Sequence, residues 1–347
     1  MHSLAPRFSD FADAFVNGAP LYSRLARRVS EDDRVLDLMS AAPPTQRIPV
    51  LLFASAHYLL LDEPDHPLAE HYPNLSRGIA SGDSGEVFVD FVLERHDRMA
   101  ELLASRSTQT NELSRCNWFL FPWSLLETEY DELSRIDVGS SAGLTLLFPH
   151  LNYRLSPGGT IGASDGPIIE CEVRGPAPTI TRSPRVAWSL GLDAEPIDVR
   201  DDDAIRWLEA CVWPEQTHRF DTLRSAVELA RRLGVNVERG DAVDDLDAAV
   251  RRARQHGHPV VTTSWVLNYL PSERRTRFVE TLDSIGANDD LSWIIAESPR
   301  ETPELPGHGN SDEDITVVSL VTWRGGRRTA RRLATTHPHG SWVNWSS

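Results

Sequence analysis

The chain has 347 residues, 40% of them hydrophobic, which is enough to build one large core or two. Its formal net charge of −16 repels phosphate backbones and argues against a nucleic-acid partner. All 35 basic residues are arginine, so mechanisms that need a lysine amine (a Schiff base, a pyridoxal phosphate linkage, a Walker-type phosphate loop) are excluded.

Residues 1 to about 130 read as a helical domain. Phe11, Phe15, Leu21, Leu25 and Val29 recur at helical spacing, and Val50 to Leu61 is apolar enough for a buried helix. Glu63-Pro64-Asp65-His66-Pro67 interrupts that pattern. A single helix is expected from Glu86 to Ser105, with Phe88, Phe91, Val92 and Met99 on one side, and another over Cys116 to Glu129. Strand character begins only near residue 134. Arg135-Ile136-Asp137-Val138, Val186 to Leu192, Val235 to Arg239, Pro259 to Ser264 and Leu291 to Glu297 are candidate strands, with helices over Arg219 to Leu233 and Ser272 to Ile285 between them. Ile315 to Trp323 and a strand from Arg327 flank Gly325-Gly326 and read as a hairpin. The fold class expected is therefore α/β over residues 131–347, a Rossmann-like, mostly parallel sheet with a C-terminal antiparallel hairpin. A Gly/Pro-rich insertion at about 154–184 carries a small strand pair near Ile168 to Val173, and residues 300–313 are expected to form a mobile surface loop.

Cys116, Cys171 and Cys211 are far apart, which fits a reducing compartment and no zinc knuckle. The longest apolar run, Ile48 to Leu61, contains Pro49, Ser55 and His57 and is too short to span a bilayer. No basic segment followed by an apolar one opens the chain, so a cytoplasmic protein with no membrane association is expected.

The chemistry concentrates at strand ends. Asp137-Val138-Gly139-Ser140-Ser141-Ala142-Gly143 is a strand running into Gly-x-x-x-Gly and, by expectation, into a helix whose free N–H groups suit a carboxylate or phosphate; a plain tight turn is the alternative. After the next strand, Asp193 is the first choice for a ribose-binding acid, with Glu195 and Asp198 competing, and the same acids could instead cap a helix near Asp201. Asp241 could bond an adenine amine while the Ala242 amide meets the ring, or could be a helix cap beside Asp244, Asp245 and Asp247. Ser264-Trp265 and Asn268-Tyr269 end the apolar strand from Val260, where they would face a ligand's reactive carbon or, for the two aromatics, pack in the core. Gln109, Asn111, Glu112 and Arg115 could hold a substrate or form a loop and cap. His57, within an apolar helix, fits a core histidine better than a base, and His256/His258 and His337/His339 suit surface loops rather than a metal site.

The chain resembles class I methyltransferases over about residues 130–335 and, over nearly its whole length, a bacterial group known as domain of unknown function 2332. The residues that carry this are Val50-Leu51-Leu52 through His57, Gln109 to Glu112 with Arg115, Asp137 through Leu144, Trp213-Pro214-Glu215 and Gly240-Asp241-Ala242. The resemblance implies S-adenosylmethionine as cofactor, held by the Asp137–Gly143 turn, Asp193, Asp241-Ala242 and Ser264-Trp265. It implies no established substrate; the leading expectation is a small-molecule methyl acceptor near Gln109, Asn111, Glu112, Arg115, Asn268 and Tyr269, with Tyr269, Glu112 or His57 as candidate bases. Asp193 stands much further from the glycine turn than the roughly 20 residues usual for a ribose acid. Two other expectations compete: a non-catalytic or regulatory protein that keeps the fold, and a nicotinamide-dependent oxidoreductase, for which Gly-x-Gly-x-x-Gly is missing because position 141 is Ser.

Overall fold

A computed structural model describes residues 2–76, 82–162 and 165–346. Its helices are α1 (Ala5–Ala14), α2 (Pro20–Ser30), α3 (Asp33–Leu38), α4 (Pro49–Leu61), α5 (Ser84–Glu94), α6 (His96–Ser105), α7 (Cys116–Leu126), α8 (Asp202–Ala210), α9 (Thr217–Leu233), α10 (Leu246–Arg254) and α11 (Ser272–Gly286). Its strands are β1 (Leu133–Val138), β2 (Asn152–Ser156), β3 (Gly159–Ile161), β4 (Ile168–Arg174), β5 (Trp188–Asp193), β6 (Val237–Arg239), β7 (His258–Ser264), β8 (Leu291–Glu297), β9 (Thr316–Arg324), β10 (Arg327–Thr336) and β11 (Trp342–Trp345).

Contacts divide the chain into two units, Met1–Thr110 with Arg200–Arg224, and Asn111–Val199 with Ser225–Ser347. This differs from the boundary expected near residue 130: Asn111 to α7 belongs with the sheet, and α8 belongs with the N-terminal helices. The first unit is built on α4, buried all round because its side chains are almost wholly apolar. Phe8, Tyr22, Phe53, Phe88 and Leu103 pack in one core with Trp207 and Ala210 of α8. The helix expected over Glu86 to Ser105 is two: α5 stops and α6 starts at Arg95, whose backbone leaves the helical region (φ −109, ψ 26). Its guanidinium is held by Glu63 at 2.9 Å and lies over Phe91.

Among the described residues the second unit carries an 11-stranded sheet in the order β3-β2-β4-β11-β10-β9-β8-β7-β1-β5-β6. From β6 through β8 all neighbours are parallel, while β8, β9, β10 and β11 follow one another antiparallel. Numbered by their order in the chain, the five parallel strands lie 3-2-1-4-5, the Rossmann arrangement, and the order reverses between β1 and β7. The fold is thus α/β, mostly parallel with antiparallel C-terminal strands and helices at the N-terminus. One face of the sheet (Ile136, Val138, Val261, Trp293, Ile295, Val321) packs on α10 and α11 through Leu246, Val250, Phe278 and Leu282. The segment expected as an insertion extends the sheet instead: β4 pairs in parallel with both β2 and β11. Residues 300–313, expected to be mobile, are pinned by buried Thr302, Leu305 and His308. The Thr302 carbonyl is 3.0 Å from His308 Nδ1. Among the described residues no helix is long and apolar enough to cross a membrane, and no group of three or more His, Cys, Asp or Glu could hold a metal ion.

Candidate functional site

In an open parallel sheet, ligands bind at the carboxyl ends of the strands where the order reverses. Here that point is the end of β1 beside β7. Successive β1 side chains alternate, so Arg135 and Asp137 face away from α10 and are both buried. Arg135 donates to Asp137 at 2.9 Å, to Thr262 Oγ1 at 3.0 Å and to the Thr145 carbonyl at 2.6 Å, with its guanidinium 4.6 Å from the Phe119 ring. Asp137 also accepts from the Thr262 and Thr145 hydroxyls. Asp137, expected at the cofactor, is therefore buried beneath the turn as half of an internal charge pair that also takes two hydroxyl donors.

Above it, the chain turns through Gly139 (φ +73), Ser141 (φ +52) and Gly143 (φ +70). Glycine is required twice. A β-carbon on Gly139 would sit 2.7 Å from Val266 Cβ, and one on Gly143 would sit 2.6 Å from Val237 Cγ2. Ser141 adopts the left-handed conformation without being glycine, and its amide is fixed on Asp193 Oδ2 at 2.7 Å. Among the described residues the Ser140 and Ala142 amides have no partner, and the buried Ser140 hydroxyl is also unpaired. The expected helix does not follow. Leu144–His150 is a 3-10 segment with Pro149 inside it, too short and too tightly wound to provide a helix dipole.

The other expected acids end the neighbouring strands. Asp193 closes β5, and its second oxygen accepts from the Glu195 amide at 2.8 Å. The helix cap foreseen there falls to Asp201, which accepts from the amides of Asp203 and Ala204 at the start of α8. Asp241, after β6, accepts from the Val243 amide at 2.7 Å and the Asp244 amide at 2.9 Å, and pairs with Arg274. Partial burial works to raise its pKa, but the two amides and the guanidinium outweigh that and hold the carboxyl below its ordinary value. Beyond β7, Trp265 is also left-handed (φ +52), with its indole N–H on Thr316 Oγ1 at 2.7 Å. Among the described residues the Asn268 side-chain oxygen is buried with no partner, and Tyr269, for which core packing was one alternative, is 78% exposed.

Sequence reasoning assigned no role to Glu297. It ends β8, is fully buried, and accepts from the Val266 amide at 3.1 Å and the Leu267 amide at 3.2 Å through one oxygen; the other makes no hydrogen bond among the described residues. Burial raises its carboxyl to about 7 against the pull of these amides and of Arg115. The signal was an acid closing the otherwise uncharged strand Leu-Ser-Trp-Ile-Ile-Ala. From the segment before α7, Asn111 Nδ2 reaches the Ser141 hydroxyl at 3.4 Å, and the Arg115 guanidinium lies 5.3 Å from the Trp118 ring and 5.7 Å from Trp265. Glu112 accepts from the Ser114 amide at 3.0 Å and so caps the turn it begins. The second unit thus gathers Asn111, Arg115, Ser141, Asp193, Trp265, Asn268 and Glu297 along one strand edge. Gln109 and His57 belong to the first unit. His57 is buried there with Nδ1 3.1 Å from the Ala210 carbonyl and Nε2 3.0 Å from Asn74 Nδ2, and burial lowers its pKa to about 4. Ser264 closes β7, and Ala242, half-buried, follows Asp241.

The chain belongs to the family described as "Uncharacterized protein conserved in bacteria (DUF2332)", whose model matches residues 5–345. Among solved structures it is similar to an S-adenosylmethionine-dependent methyltransferase from Clostridium acetobutylicum ATCC 824, at 10% identity over 65% of this chain and 74% of that one, with a TM-score of 0.25. A likeness of that size carries no residue-by-residue correspondence. No curated protein matches the chain.

Proposed function

We propose that this member of the uncharacterized bacterial family is an S-adenosylmethionine-dependent methyltransferase acting on a small molecule. One observation carries the reading: two non-glycine residues, Ser141 and Trp265, hold left-handed backbones at the ends of adjacent strands, at the sheet's reversal point. Such conformations cost on the order of 1–3 kcal/mol each and persist where surrounding bonds enforce them, typically at ligand sites. Here the bonds are Asp193 to the Ser141 amide and Thr316 to the Trp265 indole.

The residues present fit the cofactor. The free Ser140 and Ala142 amides suit a carboxylate, since neighbouring N–H groups in a turn with a left-handed residue form an anion-binding concavity. Asp193 uses one acceptor position on each oxygen for backbone amides, and a carboxylate has about four, so two are left for ribose hydroxyls. Asp241 and the Ala242 amide would meet adenine, and Ser264 and Trp265 would line the reacting end. The bound sulfonium supplies an activated methyl group. The protein's own task is then to align the acceptor and exclude water, for which Asn111, Arg115, Asn268 and Tyr269 are placed along the same edge. Glu112 is less suited to be a base, since an oxygen already serves the Ser114 amide.

Calorimetry with S-adenosylmethionine tests this. Saturable binding is expected, and Asp193→Ala should weaken it between roughly tenfold and a hundredfold, the worth of a charge-assisted hydrogen bond. Absence of heat at millimolar cofactor with a folded sample would sink the reading. A second reading, a non-catalytic binding protein, is favoured by Val266, whose side chain fills the space above Gly139. Cofactor binding with no turnover across a panel of acceptors would select it. A nicotinamide cofactor is disfavoured by Ser141, whose side chain stands where the dinucleotide fingerprint needs bare backbone.

A further inference from the structure

Trp213-Pro214-Glu215 and the helix around His57 are sequence features that the strand-edge site does not use. Both lie in the first unit, and they adjoin buried polar atoms that have no partner among the described residues. Glu215 accepts from the Leu21 amide at 2.6 Å through one oxygen, and its second oxygen is buried with no donor. The hydroxyls of Tyr22 and Tyr72, side chains 1% and 0% exposed, are likewise unpaired. Their rings lie 6.4 Å apart, and Tyr72 is 5.2 Å from His57.

The histidine determines the orientation of a fourth group. Its Nδ1 faces the Ala210 carbonyl, which can only accept, so Nδ1 carries the proton. With a pKa held near 4 by burial, the ring is neutral and Nε2 is bare. Nε2 therefore accepts from Asn74 Nδ2, and the Asn74 oxygen is left buried and unpaired. Burial, reinforced by the Glu215 charge, raises both phenols, so they stay protonated. The walls are aromatic: Tyr22 is 4.6 Å from Phe53 and 5.8 Å from Trp213, and Trp213 is 4.9 Å from Phe15.

We infer that Glu215, Tyr22, Tyr72 and Asn74 form a binding site for a small protonated amine. The Glu215 carboxylate and the Tyr22 and Tyr72 phenols lie near enough to act on one another's charge, Asn74 is joined to them through His57, which lies beside Tyr72, and among the described residues no cation is bonded to any of the four. A neutral molecule or a water leaves the carboxylate charge uncompensated, whereas an ammonium satisfies the charge and offers three donors. This site lies wholly in the first unit and does not depend on the reading of the glycine turn.

The test is a titration of the full chain with methylammonium chloride, followed through the Asn74 side-chain amide and Trp213 indole NMR resonances, with methanol and sodium chloride as controls. Saturating shifts in the millimolar range are expected for methylammonium alone, as fits a ligand of so few atoms. Glu215→Gln keeps a carbonyl for the Leu21 amide but removes the charge, and should weaken binding by at least about tenfold. Tyr22→Phe and Tyr72→Phe should also weaken it while leaving the ligand-free melting temperature unchanged or higher, because each removes a hydroxyl with no partner. Shifts that fail to saturate by about 100 mM, far above the millimolar range expected, would overturn the inference. So would equal responses to methanol, or an undiminished response in Glu215→Gln. Phenylalanine variants that lose stability would show that the hydroxyls already serve an ordered water.

Discussion

Glu297 shows how one side chain can couple the site to pH. Its carboxyl is raised by burial from an ordinary 4.5 to about 7. A raised acid favours the folded state while it is protonated. That contribution is whole below about pH 4.5 and is lost as pH rises through about 7, and the difference of about 2.5 units corresponds to roughly 3 kcal/mol. Glu297→Gln keeps an acceptor for the Val266 and Leu267 amides but cannot ionise. Its stability relative to the wild type should therefore climb across that window, making the variant the more stable by up to roughly 3 kcal/mol near pH 8. Denaturant unfolding of both proteins at a series of pH values measures it, and parallel profiles would refute it. The neighbouring left-handed residues invite a second measurement. Ser141→Gly relieves a conformation that costs an L residue about 1–2 kcal/mol, so unfolding should shift toward greater stability by about that much, and an unchanged or lower stability would refute the strain. Neither residue was marked for this in the sequence: Ser141 reads as a failed glycine, and a lone acid at a strand's end carries no sign of its burial.

At the scale of elements, β1 and the turn after it combine two kinds of constraint. Arg135→Ala would leave Asp137 buried with only hydroxyl donors, and removing one member of a buried pair typically costs about 3–5 kcal/mol. Thermal unfolding would detect such a loss, and a change below about 1 kcal/mol, the size of an exposed pair, would show that the charge is compensated elsewhere. The parallel strands were legible because each is a short apolar run bounded by helical periodicity, and alternating strands and helices imply a mostly parallel, Rossmann-like sheet. The segment after Gly143 was not legible. A glycine turn commonly opens a helix, but Pro149 and the following strand-forming run Asn152-Tyr153-Arg154-Leu155 divert the chain to the far edge of the sheet. There β4 joins β11, residues about 170 apart in sequence, a pairing with no local signature. The candidate site was legible in part for the same reason. Residues at strand ends could be ordered along one edge, but how many of their acceptor positions the backbone already occupies depends on tertiary contacts.

On the scale of the whole molecule, the helical unit is discontinuous, and its stability should depend on the returning segment. Arg200–Arg224 brings Trp207, Ala210 and Trp213 into the core of α1, α2 and α4, the Ala210 carbonyl to His57, and Glu215 to the first turn of α2. Composition could not reveal this, because α8 and the start of α9 read simply as two helices between strands. Removing a buried tryptophan costs about 3–5 kcal/mol, and whole domains are stable by only about 5–15 kcal/mol. A fragment of residues 1–130 would lack Trp207 and the partly buried Trp213, and would expose the Leu21 amide and the His57 ring besides. It should therefore be collapsed and helical without fixed packing, with poorly dispersed amide resonances and enhanced dye binding. Residues 1–110 joined to 200–224 by a flexible linker should instead melt cooperatively and show a slowly exchanging His57 Nδ1 proton, since both partners of that bond are present. Cooperative melting and full dispersion in the 1–130 fragment would show that the N-terminal helices hold their core without α8, and would place the Glu215 site on a separable element.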